Sequence, residues 1–149
     1  MSEPPHSLLA DYRVTISLPV QWGDMDAMGH VNNVVFFRWF ESARVAYLDR
    51  IAMETSNGDL GPILASVKCD YRRQLNFPDT VTIGARITRL GRTSLSMVHA
   101  VLSAEQQTIV AEGDSTVVVF DYKTNRPEPI PQRLRDLIGK IEGQTFPGG

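Results

Sequence analysis

Apolar side chains fall on every second position at Tyr12, Val14, Ile16, Leu18 and Val20, with mostly polar residues between them. That period of two predicts a half-buried β-strand. From Asn32 onward the period lengthens: Phe36, Phe40, Ala43, Tyr47 and Ile51 recur every three or four residues and share one face of a helix. Asn32 or Asn33 supplies the N-cap, and the helix should fray out before Asn57-Gly58. Alternation resumes at Ile63, Ala65, Val67, Cys69 and Tyr71, and again at Val81, Ile83, Ala85 and Ile87 beyond the Phe77-Pro78 break. Gly91-Arg92 reads as a turn into a strand over 93–103, and Glu105-Gln106-Gln107 as a turn into another over 108–120.

Connections this short make the sheet mostly antiparallel. The run Val117 to Phe120 is apolar at every position, which predicts cover on both faces or a subunit contact. Leu134, Leu137, Ile138 and Ile141 predict a short C-terminal helix after Pro131. One strand, a long helix apolar enough to be wrapped by the sheet, and about four more long strands give an α+β fold. Such a sheet leaves its edges and outer face uncovered, so a dimer is expected. Residues 1–10, with two prolines, and 143–149, with Pro-Gly-Gly, read as flexible tails around a single domain over 11–142.

Composition narrows the function classes. The 149 residues carry 15 basic and 17 acidic side chains, a formal charge of -2, so no global positive field draws in nucleic acid. No segment approaches the ~20 apolar residues of a membrane span, and the N-terminus has no secretory pattern. With a single cysteine, Cys69, no intramolecular disulfide is possible, and a cytoplasmic setting is expected. Cys69 sits at an apolar strand position and reads as a small buried hydrophobe rather than a nucleophile.

Most of the chemical options lie between the first strand and the helix, in Gln21-Trp22-Gly23-Asp24-Met25-Asp26-Ala27-Met28-Gly29-His30-Val31-Asn32-Asn33. A loop feeding a helix N-terminus offers backbone N–H donors and the positive end of a dipole, suited to a carbonyl oxygen that gains negative charge. Asp26 can present a carboxylate to the carbon of the same carbonyl, the pairing that acyl transfer needs. The competing reading makes Asp24 and Asp26 ordinary Asx-turn residues. The spacing also opens like a calcium loop, but Met28 and Val35 stand where oxygen ligands are required, and no metal is expected. Glu41 and Arg44, at i and i+3, suggest a structural ion pair.

The stretch Gly23 to Asn33, followed by Phe36-Phe37-Arg38-Trp39-Phe40-Glu41-Ser42-Ala43-Arg44, resembles the signature of the 4-hydroxybenzoyl-CoA thioesterase-like, hotdog-fold acyl-CoA thioesterases. Looser agreement follows at Tyr71, Pro78 to Val81, Gly91 to Ser94, Val119 to Asp121, Arg126-Pro127 and Ile130-Pro131. The resemblance implies a long central helix inside a curled antiparallel sheet of about five strands. It also implies a homodimer or homotetramer with active sites at the subunit interface. By the same resemblance Asp26 is the catalytic carboxylate, Gly29 and His30 donate N–H groups to the thioester carbonyl, and Asp24, Asn32 and Asn33 support them. Phe36 departs from the family pattern, in which tyrosine is common there. No cofactor is implied.

An acyl-CoA substrate brings phosphates, for which Lys68, Arg72, Arg73, Arg89, Arg92, Thr93 and Ser94 are candidate partners. Trp22, Phe36, Phe37 and Phe40 are candidates to line an acyl pocket, although aromatic residues at helical spacing also build cores. Two other readings stay open: an enoyl-thioester hydratase or dehydratase using His30, and a non-catalytic acyl-CoA binding protein.

Overall fold

The computed structural model describes residues 5–53 and 59–146. Strand β1 (Val14–Pro19) leads through a short 3-10 turn (Trp22–Asp24) into helix α1 (Asn33–Arg50). Strands β2 (Leu60–Tyr71), β3 (Thr80–Leu90), β4 (Ser94–Ser103) and β5 (Thr108–Asp121) follow, then a two-residue strand β6 (Arg126–Pro127) and helix α2 (Gln132–Glu142). Each element predicted from periodicity is present, and the predicted fraying of α1 toward Asn57-Gly58 lies outside the described residues. Tyr12 falls outside β1 and packs instead beneath the Arg86 guanidinium, 5.4 Å from its ring centre.

All the main strands pair antiparallel, in the order β1-β3-β4-β5-β2, with β6 added to β5. Helix α1 lies against this curled sheet. The stripe read from the sequence is the buried one, with Phe40, Ala43, Tyr47 and Ile51 fully buried and Phe36 nearly so. Gly113 lets helix and sheet close, since a Cβ there would collide with the Lys68 carbonyl and stand 2.5 Å from the Phe40 ring. The end of β5 is less covered than its all-apolar run predicts. Val117 and Val119 face the core, while Val118 and Phe120 are half-buried on the other face.

Parts of the two segments expected as tails pack against the domain. Residues Pro5–Leu9 form a 3-10 turn, and Leu9 is buried against Ala100 and Leu102, because an apolar side chain beside the outer face of β4 gains more from burial than the short segment loses in freedom. At the other end, Gly143 adopts a left-handed conformation as the C-cap of α2, and Phe146 packs on the core. The Glu142 carboxylate accepts from the buried Tyr47 hydroxyl and from the Ile87 N–H, so α2 is tied to α1 and β3.

Candidate active site

The two aspartates of the β1–α1 loop do different work. Asp24 is buried, its carboxylate accepting from the Gln21 N–H and from the Arg38 guanidinium of α1, each at 2.8 Å. Its backbone carbonyl accepts from the Asn32 N–H at 2.9 Å. Charge-assisted bonds replace the water that a buried carboxylate loses, so Asp24 pins the loop to the start of the helix.

Asp26 is half-buried and holds the loop's tip. Its Oδ1 accepts from the Met28 N–H at 2.9 Å, an Asx turn, and more weakly from the His30 N–H at 3.4 Å. Its own N–H donates to the His30 carbonyl, and the Gly29 N–H donates to the Asp26 carbonyl. Gly29 sits at φ +83°, a conformation glycine adopts without a Cβ clash. The Val31 N–H goes to the Leu75 carbonyl, and the Asn32 side chain caps α1 by accepting from Val34. Neither Asp26 Oδ2 nor the N–H of Asn33, the first residue of α1, forms a hydrogen bond with a described residue.

Both residues line a cavity of about 260 Å³, together with His30, Phe36 and the segment Tyr71 to Leu75. Tyr71 closes one side. Its hydroxyl donates to the Asn33 carbonyl at 2.8 Å and its ring meets Phe36 edge-on at 5.1 Å, while burial pushes its phenol up to about 12. Arg72 and Arg73 also line the cavity, their N–H groups held by the Val110 carbonyl. Both follow directly on the alternating run that ends at Tyr71, and both are among the cations expected to meet phosphates. The His30 ring has no carboxylate partner among the described residues, so the His–acid pair that hydratase chemistry requires is not formed.

Other expected residues lie elsewhere. Of the four aromatic candidates for an acyl pocket, Phe36 lines the cavity. Phe40 is a core residue stacked on His99 at 4.8 Å, Phe37 packs edge-on against Phe40, and Trp22 is 74% exposed, meeting Phe77. Lys68 pairs with Asp70 on β2. Arg89, Arg92, Thr93 and Ser94 stand at the far end of β3 and β4, roughly 30 Å along the strands from the Pro19–Thr80 end. The carbonyls of Arg92 and Thr93 there accept from Ile130 and Val119. None of these five lines the cavity at Asp26.

Glu41 and Arg44 do not close the expected ion pair. Arg44 is buried, with its Nη1 unpartnered, and burial lowers its pKa. Beneath α1, His99 bonds to Ser115 at 2.8 Å and is pushed down to about 4 by burial and by the charge of Arg44. Burial raises the Cys69 thiol to about 11, so it is no thiolate nucleophile at neutral pH.

This geometry can be set beside known proteins. Residues 20–138 match the model of the Thioesterase-like superfamily. A thioesterase structure from Thermus thermophilus, complexed with coenzyme A and Zn, is 33% identical and superposes with a TM-score of 0.81 over 91% of this chain and 98% of that one. The uncharacterized protein YsmA of Bacillus subtilis is 32% identical over 78 residues, about half of each chain. The long-chain acyl-CoA thioesterase FadM of Escherichia coli is 23% identical over 78% of this chain and 90% of that one. Among the described residues of this chain, no three His, Cys, Asp or Glu side chains gather as a metal site, and no helix is long and apolar enough to cross a membrane. A match over most of the chain, on a helix cupped by a curled antiparallel sheet, makes this protein a member of the Thioesterase-like superfamily: a thioester hydrolase with the hotdog fold.

Proposed function

We propose that this protein hydrolyses acyl-CoA thioesters to the free acid and CoA, with Asp26 as the catalytic carboxylate and the Asn33 N–H polarising the thioester carbonyl. The observation that carries this reading is the pairing of an unpartnered carboxylate oxygen with an unpartnered helix N-terminal N–H in one cavity. The donors expected at Gly29 and His30 are already engaged by Asp26 itself, which passes the role to Asn33. There the helix dipole favours the oxyanion, and removing one such donor typically costs about 10²–10³ in rate.

A thioester carbonyl is less resonance-stabilised than an ester or amide, so a carboxylate and aligned N–H groups suffice without a Ser-His-Asp triad. Asp26 attacks the carbonyl carbon to give a mixed anhydride that water hydrolyses, or it takes a proton from the attacking water. In both routes the C–S bond breaks and the sulfur leaves as CoA thiol. Single turnover in heavy-oxygen water detects the anhydride route where water attacks the Asp26 carboxyl carbon, since an Asp26 oxygen then leaves in the first product formed.

Arg72 and Arg73 are proposed to meet the CoA phosphates at the cavity mouth. We also propose a homodimer through β2, a twelve-residue strand at one edge of the sheet. Antiparallel pairing of two β2 edges would set the far end of one sheet beside the Asp26 end of the other. Arg92, Thr93 and Ser94 would then serve the partner's site rather than their own. The test is free-thiol release from short, medium, long and aromatic acyl-CoAs, beside Asp26→Asn and a size measurement. Turnover lost in a folded Asp26→Asn supports the reading, and turnover retained overturns it.

A further inference from the structure

The cavity has two walls held by different parts of the chain. Asp26, Asn33 and Phe36 belong to the β1–α1 loop and the first turns of α1, whereas Tyr71 to Leu75 run from the end of β2. The second wall is fixed to the sheet. The Arg72 and Arg73 N–H groups donate to the Val110 carbonyl, and the Gln106 side chain donates to the Gln74 carbonyl at 2.8 Å. Among the described residues, two hydrogen bonds cross from this wall to the other. One joins backbones, the Val31 N–H to the Leu75 carbonyl, and the other runs from the Tyr71 hydroxyl to the Asn33 carbonyl. Only the second is carried by a side chain.

The direction of the Tyr71 ring is set by the core. It lies edge-on to Phe36, which in turn lies edge-on to Trp39 at 5.0 Å, and both of these are buried. With its phenol raised to about 12 by burial, Tyr71 keeps its proton near neutral pH and stays a donor. The residue it grips is the one whose N–H is assigned above to the thioester carbonyl. Asn32 caps that first turn from within, by accepting from Val34, and Tyr71 ties the same turn to the opposite wall. An oxyanion donor acts by being aimed before charge develops, so its aim counts for more in the transition state than in the bound substrate.

We infer that Tyr71 is a positioning residue for this hydrolysis: its hydroxyl holds the first turn of α1 against the β2 wall and so fixes the Asn33 N–H relative to Asp26. The inference rests on the roles proposed for Asp26 and Asn33. No proton leaves the phenol, which donates to Asn33 throughout.

Tyr71→Phe removes the hydroxyl and keeps the ring on Phe36. For this variant kcat on acyl-CoA is expected to fall about tenfold while KM stays within about twofold, since a misaimed donor weakens the transition state more than substrate binding. Thermal melting shows that the variant is folded at the assay temperature, and the Asn33 amide signal is expected to move in an NMR spectrum. Tyr71→Leu, which also loses the ring that borders the cavity, should add a raised KM to the same loss of kcat. An unchanged kcat in Tyr71→Phe, a rise in KM in place of the loss, or an unmoved Asn33 signal would overturn the inference. A loss of kcat that only follows the loss of folded protein would overturn it too. Asp26→Asn, measured alongside, keeps two failures apart. Turnover lost there with kcat unchanged in Tyr71→Phe overturns the role of Tyr71 alone, whereas turnover retained there overturns the site assignment and this inference with it.

Discussion

The two ends of the sheet carry similar side chains and differ in what the backbone leaves open. At the far end, the Gly91 to Ser94 turn offers an arginine and two hydroxyls, but its carbonyls are taken by Val119 and Ile130, and the Arg135 guanidinium donates to the Gly91 carbonyl at 2.6 Å. The turn is a clasp for α2. At the near end, the loop from Asp24 to Asn33 is just as densely bonded, yet Asp26 Oδ2 and the Asn33 N–H have no partner among the described residues, and both residues border a cavity. Polar composition therefore does not mark a site. A candidate site is marked where a hydrogen-bond network leaves groups without partners on residues that border one cavity.

The sharpest way to break this comparison is Asp26→Asn. The amide oxygen can still accept from Met28, so the loop should keep its shape while hydrolysis falls by about 10²–10⁴, the range for a lost general base. Thiol release at saturating substrate, with thermal melting as the fold control, reads it. Next in size is the pH response of His99, which lies between the two ends beneath Phe40. Its folded pKa of about 4 lies below the ordinary 6.5, so the unfolded chain binds the proton first and stability drains as pH falls through that window. The loss should approach roughly 3 kcal/mol by pH 4. Urea titrations should show that part of the slope missing from His99→Gln.

A smaller effect separates holding the loop from doing chemistry. Asp24→Asn gives up one of two buried bonds, which should cost about 1–2 kcal/mol in urea melts and lower kcat through a displaced loop. Its pH–rate profile should keep the wild-type shape, whereas a change in profile would put Asp24 in the proton transfer. The least effect is expected from Arg92→Ala in stability, within about 0.5 kcal/mol, because its side chain is exposed and its backbone bond survives. If Arg92 serves the partner's site, KM for acyl-CoA rises while kcat stays. Unchanged KM would return the whole far end to a structural role.

The order and type of the elements were legible in the sequence because burial imposes its period directly. Phe36, Phe40, Ala43, Tyr47 and Ile51 could share only one helical face, and that face is the buried one. The loop carrying Asp24 and Asp26 was legible too, from its position before a helix and its resemblance to a thioesterase motif. The tertiary structure decided which N–H groups were already engaged, since Gly29 and His30 look as available as Asn33 until the Asp26 backbone carbonyl is seen accepting from Gly29 and its carboxylate from His30. It also decided which arginines stand near the cavity. Arg72 and Arg89 are equally cationic in sequence, but strand order and length put one beside Asp26 and the other at the opposite end of the sheet. A local pattern records what each residue must bury. It does not record which distant backbone groups will consume a donor, because hydrogen-bond partners and cavity walls are set by pairings across the sheet.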